Sequence, residues 1–322
     1  MRIGIITPSP PRSHYGNRVT ALRWARILKE LGHRVRIAEA YKEEPFDLMI
    51  ALHARRSYSS VRRYHRDHPD RPLIVTLTGT DLYHDLPRSR SAQKSLELAT
   101  RIVALQPLAR SELEPRLRKK VCVIYQSVSP TVKKPNTSPV RDSQTNFNVC
   151  VIAHLRAIKD PFRTALAARR LPASSRLRVL HLGAAMTEAM TRRVRGEARI
   201  NPRYRWLGDR SRRYVEQTLA RCAVCVLSSR VEGGANVLGE AIVAGVPLLV
   251  SRIPGSVGIL GEDYAGYFDV GDTVGLAHLL HRAEMDRPFL ARLRSQCKKL
   301  APLFSPARER DAWKQLLEEL RI

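Results

Sequence analysis

Long apolar runs, acidic side chains, aromatics and paired cysteines are all scarce in this 322-residue chain. No apolar run approaches the ~18 residues of a membrane-spanning helix. The N-terminus Met1-Arg2-Ile3-Gly4-Ile5-Ile6 meets Pro8, Pro10 and Pro11 too soon for a secretory signal core. A soluble protein is therefore expected. Five cysteines, Cys122, Cys150, Cys222, Cys225 and Cys297, are odd in number and irregularly spaced, which argues against a secreted disulfide framework and for a cytoplasmic location. Asp and Glu number 30 against 56 Lys and Arg, a formal net charge of +26, so the excess either meets an anionic partner or is solvated. One class that such charge suggests is a basic nucleic-acid-binding protein. Aromatics are only 6% of the chain, no stacking motif is visible and the basic residues are spread out, so no nucleic-acid partner is expected. The ten histidines lack metal-ligand spacing and no Asp-x-Asp pair lies near a strand end, so neither metal nor cofactor is expected.

What the chain does have is alternation. Its hydrophobic content of 43% suits a packed globular protein, and its length suits about two domains at ~150 residues each. Short apolar runs at Arg2 to Thr7, His33 to Ala40, Asp47 to Leu52, Leu73 to Thr78, Arg101 to Leu105 and Val121 to Tyr125 read as strands. Val19 to Leu31 reads as a helix, with Leu22, Ala25, Ile27, Leu28 and Leu31 near helical spacing and Gly32 as its stop. The pattern lapses after Pro130, where Lys133-Lys134-Pro135-Asn136-Thr137-Ser138-Pro139 reads as a linker. It restarts with strands at Phe147 to Ala153, Arg178 to Leu182, Arg205 to Leu207, Ala223 to Leu227, Pro247 to Val250 and Gly266 to Phe268. Repeated strand-helix-strand units imply α/β domains with parallel sheets covered on both faces. The expected division is 1–135, 147–305, and a C-terminal helix over 306–322 whose Trp313, Leu316, Leu317 and Leu320 share one face and should pack on the N-terminal domain. Ligands of such sheets sit beyond the carboxyl ends of the strands.

The most informative stretch is Ser228-Ser229-Arg230-Val231-Glu232-Gly233-Gly234-Ala235-Asn236-Val237-Leu238-Gly239-Glu240-Ala241. It follows an apolar strand and leads into a short helix ended by Gly245-Val246-Pro247. Glycines allow the backbone close to a ligand, and the free N–H groups of a helix start attract an anion. Glu232 in the loop and Glu240 in the helix can accept hydrogen bonds from vicinal hydroxyls. Cys222-Ala223-Val224-Cys225 overlaps the preceding strand, and with no second pair its thiols are expected to be buried and structural. No serine lies in a recognisable nucleophile elbow.

The spacing of Glu232 and Glu240 resembles the Glu-x7-Glu motif of the retaining GT-B glycosyltransferases related to glycogen synthase. A second stretch, Ile152-Ala153-His154-Leu155-Arg156-Ala157-Ile158-Lys159-Asp160-Pro161, is similar to the strand-end segment whose Arg and Lys neutralise the donor diphosphate in that family. The resemblance implies a GT-B fold, two Rossmann-like domains facing a central cleft. It gives Glu232 the donor sugar, Glu240 the ribose, and Arg156 and Lys159 the departing diphosphate, which makes Arg156, Lys159 and Glu232 the catalytic set. Gly16, Asn17 and Arg18 stand where the family has a glycine loop facing the phosphates, with one glycine in place of the commoner pair. Gly233, Gly234, Ala235, Asn236 and Val237 complete the donor side. His14, His53, Arg55, Arg56, Thr78, Gly79, Thr80 and Asp81 fall on the acceptor side, although Asp81 in a capped turn is an equal reading.

The phrases His14 to Ala25, His53-Ala54-Arg55-Arg56, Thr76 to Leu82 and Glu232 to Val237 together resemble one branch, the selenosugar synthases of selenoneine biosynthesis, over almost the whole chain. That resemblance implies a UDP-sugar donor, UDP-N-acetylglucosamine by analogy, and selenophosphate as acceptor, joined through a selenium–carbon bond into a 1-seleno sugar. It also implies other enzymes of that pathway as working partners. Cations among Arg12, His14, Arg18, His53, Arg55 and Arg56 could gather selenophosphate, whose selenium is nucleophilic enough to need no side-chain base. The competing enzyme reading is a GT-B glycosyltransferase with a lipid or polysaccharide acceptor.

Overall fold

The computed structural model describes residues 1–11, 13, 15–129 and 146–320. The expected linker over Lys133 to Pro139, and the domain boundary placed there, lie outside the described residues, as do Arg12 and His14. The chain divides into two compact units: unit 1 is Met1–Ser127, Glu232–Asn236 and Ser305–Ile322, and unit 2 is Val128–Val231 and Val237–Phe304.

Unit 1 is built on six strands, β1 (Arg2–Ile6), β2 (Arg34–Ala38), β3 (Leu48–Leu52), β4 (Leu73–Thr76), β5 (Arg101–Ala104) and β6 (Val121–Val123), in the order β2-β1-β3-β4-β5-β6. All five pairings are parallel. The central strands read as unbroken apolar runs because both their faces are covered: Leu48, Ile50 and Leu52 join one cluster, and Met49 and Ala51 join the other. The first face is closed by the helix Gly16–Glu30 through Ala21, Trp24 and Leu28, and by the C-terminal helix Pro306–Glu319 through Trp313, Leu316 and Leu317. Trp24 and Trp313 meet edge to face with centroids 4.8 Å apart. The opposite face is closed by Val61 and Tyr64 of the helix Tyr58–Asp67 and by Leu96 of Arg90–Leu98. Strand β2, at the sheet edge, turns Arg34 and Arg36 to solvent, a charge pattern that discourages edge-to-edge pairing.

Unit 2 repeats the plan with β7 (Phe147–Ile152), β8 (Leu177–Leu182), β9 (Tyr204–Gly208), β10 (Val224–Leu227), β11 (Leu248–Ser251) and β12 (Tyr267–Phe268), in the order β12-β11-β10-β7-β8-β9, again all parallel. Each expected strand has a counterpart within a few residues. Cys150 and Cys225 are register partners on β7 and β10, and with Cys222 they are buried free thiols; burial raises the Cys150 thiol well above its usual pKa.

The first helix departs from expectation. It opens at Gly16 instead of Val19, and its buried face is Thr20, Ala21, Trp24, Ala25, Ile27 and Leu28, leaving Leu22 52% exposed. The stripe runs through Ala21, Trp24 and Leu28, and Leu22 falls on the other side of the helix. Among the described residues no helix is long and apolar enough to cross a membrane.

Each sheet has one topological switch, where the strand order reverses: β1 beside β3 in unit 1, and β7 beside β10 in unit 2. Chains leaving adjacent strands there diverge to opposite sides and leave a crevice at their carboxyl ends. The segments leaving β1, β3, β7 and β10 are those that carry most of the expected site residues.

Unit 2 also contains a buried titratable group. His181 on β8 is fully buried, its Nδ1 2.7 Å from the Tyr204 hydroxyl and its Nε2 3.0 Å from the Ala153 carbonyl oxygen. The carbonyl can only accept, so Nε2 carries the proton and Nδ1 accepts from Tyr204. Burial lowers the ring's pKa to about 4. The unfolded chain takes up a proton near pH 6.5 and the folded one does not, so stability contributed by the neutral ring is complete above pH 6.5 and is lost as pH falls to about 4. Urea titrations from pH 7 to pH 4 should show a loss of up to about 1.4 kcal/mol per pH unit from this group. His181→Gln should flatten that slope by close to one proton; an unchanged slope would place the acid sensitivity elsewhere.

Candidate active site

In unit 2 the segment leaving β7 is fastened to the segment leaving β10. Ser228 Oγ donates to the carbonyl oxygens of Asp160 and Lys159 at 2.9 and 3.2 Å, and the Arg230 amide donates to Ile158 O at 2.9 Å. Arg156 caps the short 3-10 turn Ala157–Lys159, and Asp160 closes it in the left-handed region at φ 43°. A non-glycine residue there is strained and persists only when its surroundings fix it. Here the fixing group is Arg163, whose Nε donates to Asp160 Oδ2 at 2.9 Å while Nη1 donates to Thr273 Oγ1 at 2.5 Å. The result leaves Arg156 exposed and Lys159 half-buried on a braced turn. Glu240 lies in the second turn of the helix Asn236–Ala244 and is half-buried.

In unit 1, segments distant in sequence converge. A Cβ built on Gly233 would fall 2.6 Å from Gly79 N and from Thr78 C, and one on Gly79 would fall 2.5 Å from Gly233 N. Gly79 also has φ 127°, a backbone region closed to most side chains. Two glycine backbones thus lie closer than any side-chain-bearing pair could. Gly234 abuts Leu105 in the same way, with 2.7 Å from its notional Cβ to the leucine Cβ. Asn236 approaches the start of the helix Gly16–Glu30, its Nδ2 being 3.9 Å from where a Gly16 Cβ would stand. That helix starts after Tyr15 with no side-chain cap, as do those after Ser57 and Ile253, whereas Ser89, Thr187, Ser211, Asp272, Asp286 and Ser305 cap theirs. Its first-turn amides, beside half-buried Asn17 and Arg18, suit an anion.

The remaining expected residues of unit 1 form a cluster after β3 and β4. His53 is buried with φ 75°, a second strained non-glycine position. The Arg56 amide approaches its Nδ1 at 3.4 Å, and its Nε2 lies 3.3 Å from Thr80 Oγ1. Burial lowers the His53 pKa against the pull of Asp81 and Asp85, with Arg56 and Arg55 lowering it further. The ring is therefore neutral near pH 7, which corrects its expected place among the cations; it remains a hydrogen-bonding group. Asp81 is fully buried and committed to backbone: Oδ1 accepts from the amides of Thr78 and Gly79 at 2.8 Å and of Leu82 at 3.2 Å, and Oδ2 from Ala54 at 2.9 Å. It holds the Thr78–Gly79 turn, but not as the expected N-cap: Thr80 occupies that position, and Asp81 opens the short helix Asp81–Asp85 and accepts from amides that precede it. Arg55 is 48% exposed and paired with Asp85 at 2.8 Å, and Arg56 is exposed. Arg55 and Arg56 are thus the cations that this cluster presents to solvent. His14 lies outside the described residues.

Sequence reasoning missed the residues that support these groups. Arg163 and Asp85 carry no motif, and Ser228 opens the quoted stretch without any sign of its bracing role. Arg23, Gln126, Ser127 and Glu309 form a buried polar chain in unit 1. One signal was present: Glu309 falls four residues before Trp313 and seven before Leu316, an acid on the apolar stripe of its helix. Among the described residues no group of three His, Cys, Asp or Glu side chains could hold a metal ion.

The family model "Glycosyl transferases group 1" matches residues 134–300, just over half of the chain. The chain belongs to that family. Solved structures agree on the fold. HepE from Anabaena, solved with UDP and glucose, is similar with a TM-score of 0.77 at 16% identity, over 99% of this chain and 100% of that one. Sucrose-phosphate synthase from Thermosynechococcus elongatus follows at 0.76 and 15%, over 99% and 98%. A glycosyltransferase from Rickettsia africae stands at 0.74 and 13%, over 99% and 98%. The two six-stranded parallel sheets of this group 1 glycosyltransferase are therefore the GT-B fold.

The glycine contact yields a stability test. Gly233→Ala places a methyl group against backbone that cannot yield as a side chain would, and should destabilise by about 1–3 kcal/mol. Gly196→Ala, in the interior of the helix Glu188–Ile200 with open space around its notional Cβ, should stabilise by about 0.5–1 kcal/mol. Thermal or denaturant unfolding checks both, and a harmless Gly233→Ala would contradict the close approach.

Proposed function

We propose that this glycosyltransferase transfers a sugar from a UDP-sugar, UDP-N-acetylglucosamine by resemblance, to selenophosphate. The observation that carries the donor half is the convergence in unit 1 of Gly16, Gly79 and the Gly233–Asn236 loop, which come from three separate sequence phrases of the resemblance. Family membership and the likeness to HepE solved with UDP support the same donor class. The acceptor rests on the sequence resemblance to the selenosugar synthases, supported by the two solvent-facing guanidiniums of Arg55 and Arg56.

In this reading the loop amides from Gly233 to Val237, with Gly16, Asn17 and Arg18, receive the phosphates. Glu232 accepts hydrogen bonds from sugar hydroxyls and Glu240 from the ribose. Arg156 and Lys159 stabilise charge that grows on the diphosphate as the anomeric C–O bond breaks, an interaction stronger in the transition state than in the ground state. Bracing of their turn by Ser228 and Arg163 keeps these cations in place before reaction, so little reorganisation accompanies it. Selenium of selenophosphate supplies the electron pair of the new Se–C bond, and the pair of the broken bond departs on UDP. The product then carries a Se–P bond, and transfer of its phosphoryl group to water leaves the 1-seleno sugar. Arg55, Arg56, Thr78, Gly79 and Thr80 present donors and charge to the acceptor, with His53 neutral among them and Asp81 holding their turn; His14 belongs to the same set by resemblance alone.

Mass spectrometry after incubation with UDP-N-acetylglucosamine and selenophosphate, with UDP-glucose in parallel, should find a selenium-bearing sugar and stoichiometric UDP. UDP release only with a lipid or polysaccharide acceptor, and no selenium in any sugar, would reject the acceptor assignment.

Two substitutions separate binding from turnover. Glu240→Ala should raise KM for the UDP-sugar by about tenfold, the equivalent of one lost hydrogen bond to a charged group. Arg156→Ala should lower kcat by about a hundredfold or more, on the scale of a lost transition-state donor. Steady-state kinetics checks both, and near wild-type constants for the pair would move the site elsewhere.

A further inference from the structure

We infer that Arg23, held by Glu309 of the C-terminal helix, is a positioning residue that sets the conformation of the Glu232–Asn236 loop. Each contact in the argument lies within unit 1.

Glu309 is 1% exposed. Its Oε1 accepts from Trp24 Nε1 at 2.7 Å, and its Oε2 accepts from the Ser127 amide at 2.8 Å and the Ser127 hydroxyl at 2.5 Å. Arg23 Nε stands 3.4 Å from Oε1. The guanidinium reaches onward: Nη1 donates to Ser127 O and Nη2 to Asn236 Oδ1, both at 3.1 Å. Gln126 adds a second hold. In the orientation that satisfies its surroundings, its carbonyl oxygen accepts from Thr20 Oγ1 at 2.6 Å and Arg23 Nη2 at 3.0 Å, while its NH2 donates to Asn236 Oδ1 at 3.0 Å and Gly234 O at 3.3 Å.

A buried ion pair is weak evidence for stability, because well-packed apolar side chains of similar volume often do as well. This pair does something that apolar residues could not. A planar guanidinium with five donors in fixed directions converts the position of a helix-borne carboxylate into the position of an amide oxygen on the loop. Glycines 233 and 234 give the loop little conformational preference of its own, so its path is set by what it touches. Its polar anchors in the chain described above are Asn236 Oδ1 and Gly234 O, and both are held from Arg23 or from Gln126, which Arg23 itself contacts. The significance for turnover rests on the donor reading proposed above; the effect on the loop does not.

The experiment follows both consequences. Amide hydrogen–deuterium exchange of a peptide spanning residues 232–238 is measured in the substrate-free full chain for wild type, Arg23→Lys, Gln126→Leu and the double variant Arg23→Met/Glu309→Gln. The double variant removes both charges and leaves neither buried alone. Exchange in this peptide should rise at least tenfold in the double variant, and by several-fold in Gln126→Leu. Arg23→Lys, which keeps the charge but cannot meet Glu309, Ser127 and Asn236 together, should also lose protection, and kcat/KM for UDP-N-acetylglucosamine should fall about tenfold with it. Exchange within twofold of wild type in both the double variant and Gln126→Leu, with unfolding still cooperative, would overturn the inference. A wild-type protein that consumes no UDP-sugar would instead overturn the donor reading, and the exchange result would still decide the loop.

Discussion

A carboxylate buried as deeply as that of Glu309 is tolerated only where its oxygens are met by donors, because the desolvation of an unpaired ion exceeds any stability that a single side chain returns. The donors come from an indole on the first helix, an amide and a hydroxyl just beyond β6, and a guanidinium one residue from the indole. Satisfying that one group therefore fixes three parts of unit 1 relative to each other: the C-terminal helix, the helix that opens at Gly16, and the chain leaving the sheet. The Trp24–Trp313 contact lies beside it, so apolar packing and polar matching select the same docking of the C-terminal helix.

The parallel sheets impose a complementary constraint. Strands covered on both faces have no polar side of their own, so polar function is displaced to the segments beyond their carboxyl ends. Both switch points follow this rule, at β1/β3 and at β7/β10. Strain collects in the same segments. His53 and Asp160 are two of the three non-glycine residues with positive φ among the described residues, and each follows a strand beside a switch. Each is over-determined by its neighbours, His53 by Thr80 and the Arg56 amide, Asp160 by Arg163 and Ser228. Strain of this kind marks turns whose shape matters more than their own stability.

How much of this was legible in the sequence depended on range. Strands such as Leu48–Leu52 and Val224–Leu227 announce themselves as apolar runs, since burial on both sides leaves no polar position to interrupt them. The loop at Glu232 was legible because two glycines between an apolar strand and a helix have few other uses. The helix Tyr58–Asp67 was not, because only Ser60, Val61 and Tyr64 of its ten residues are buried. The spacing rule misplaced Leu22 because the buried stripe runs through Ala21, Trp24 and Leu28, which leaves Leu22 on the opposite side of the helix. Asp81 and Glu309 mark the limit. Both are acids whose ordinary place is solvent, and both are buried for partners that the local sequence does not reveal: Ala54 lies 27 residues from Asp81, and Trp24 lies 285 from Glu309.

His53 illustrates why charge cannot be read from composition alone. With 56 Lys and Arg residues in the chain, a histidine one residue before a pair of arginines reads as one more cation. Burial reverses that, removing the charge while leaving a ring whose two nitrogens face an amide and a hydroxyl. An anion near this cluster would meet the guanidiniums of Arg55 and Arg56 at its rim, with the carboxyl groups of Asp81 and Asp85 buried beneath them. Arg55 is already engaged by Asp85, whereas its neighbour in sequence, Arg56, is exposed on the same turn. On the reading proposed above, fixed geometry would serve the donor, where charge develops, and the cationic rim would serve an acceptor that brings its own nucleophile.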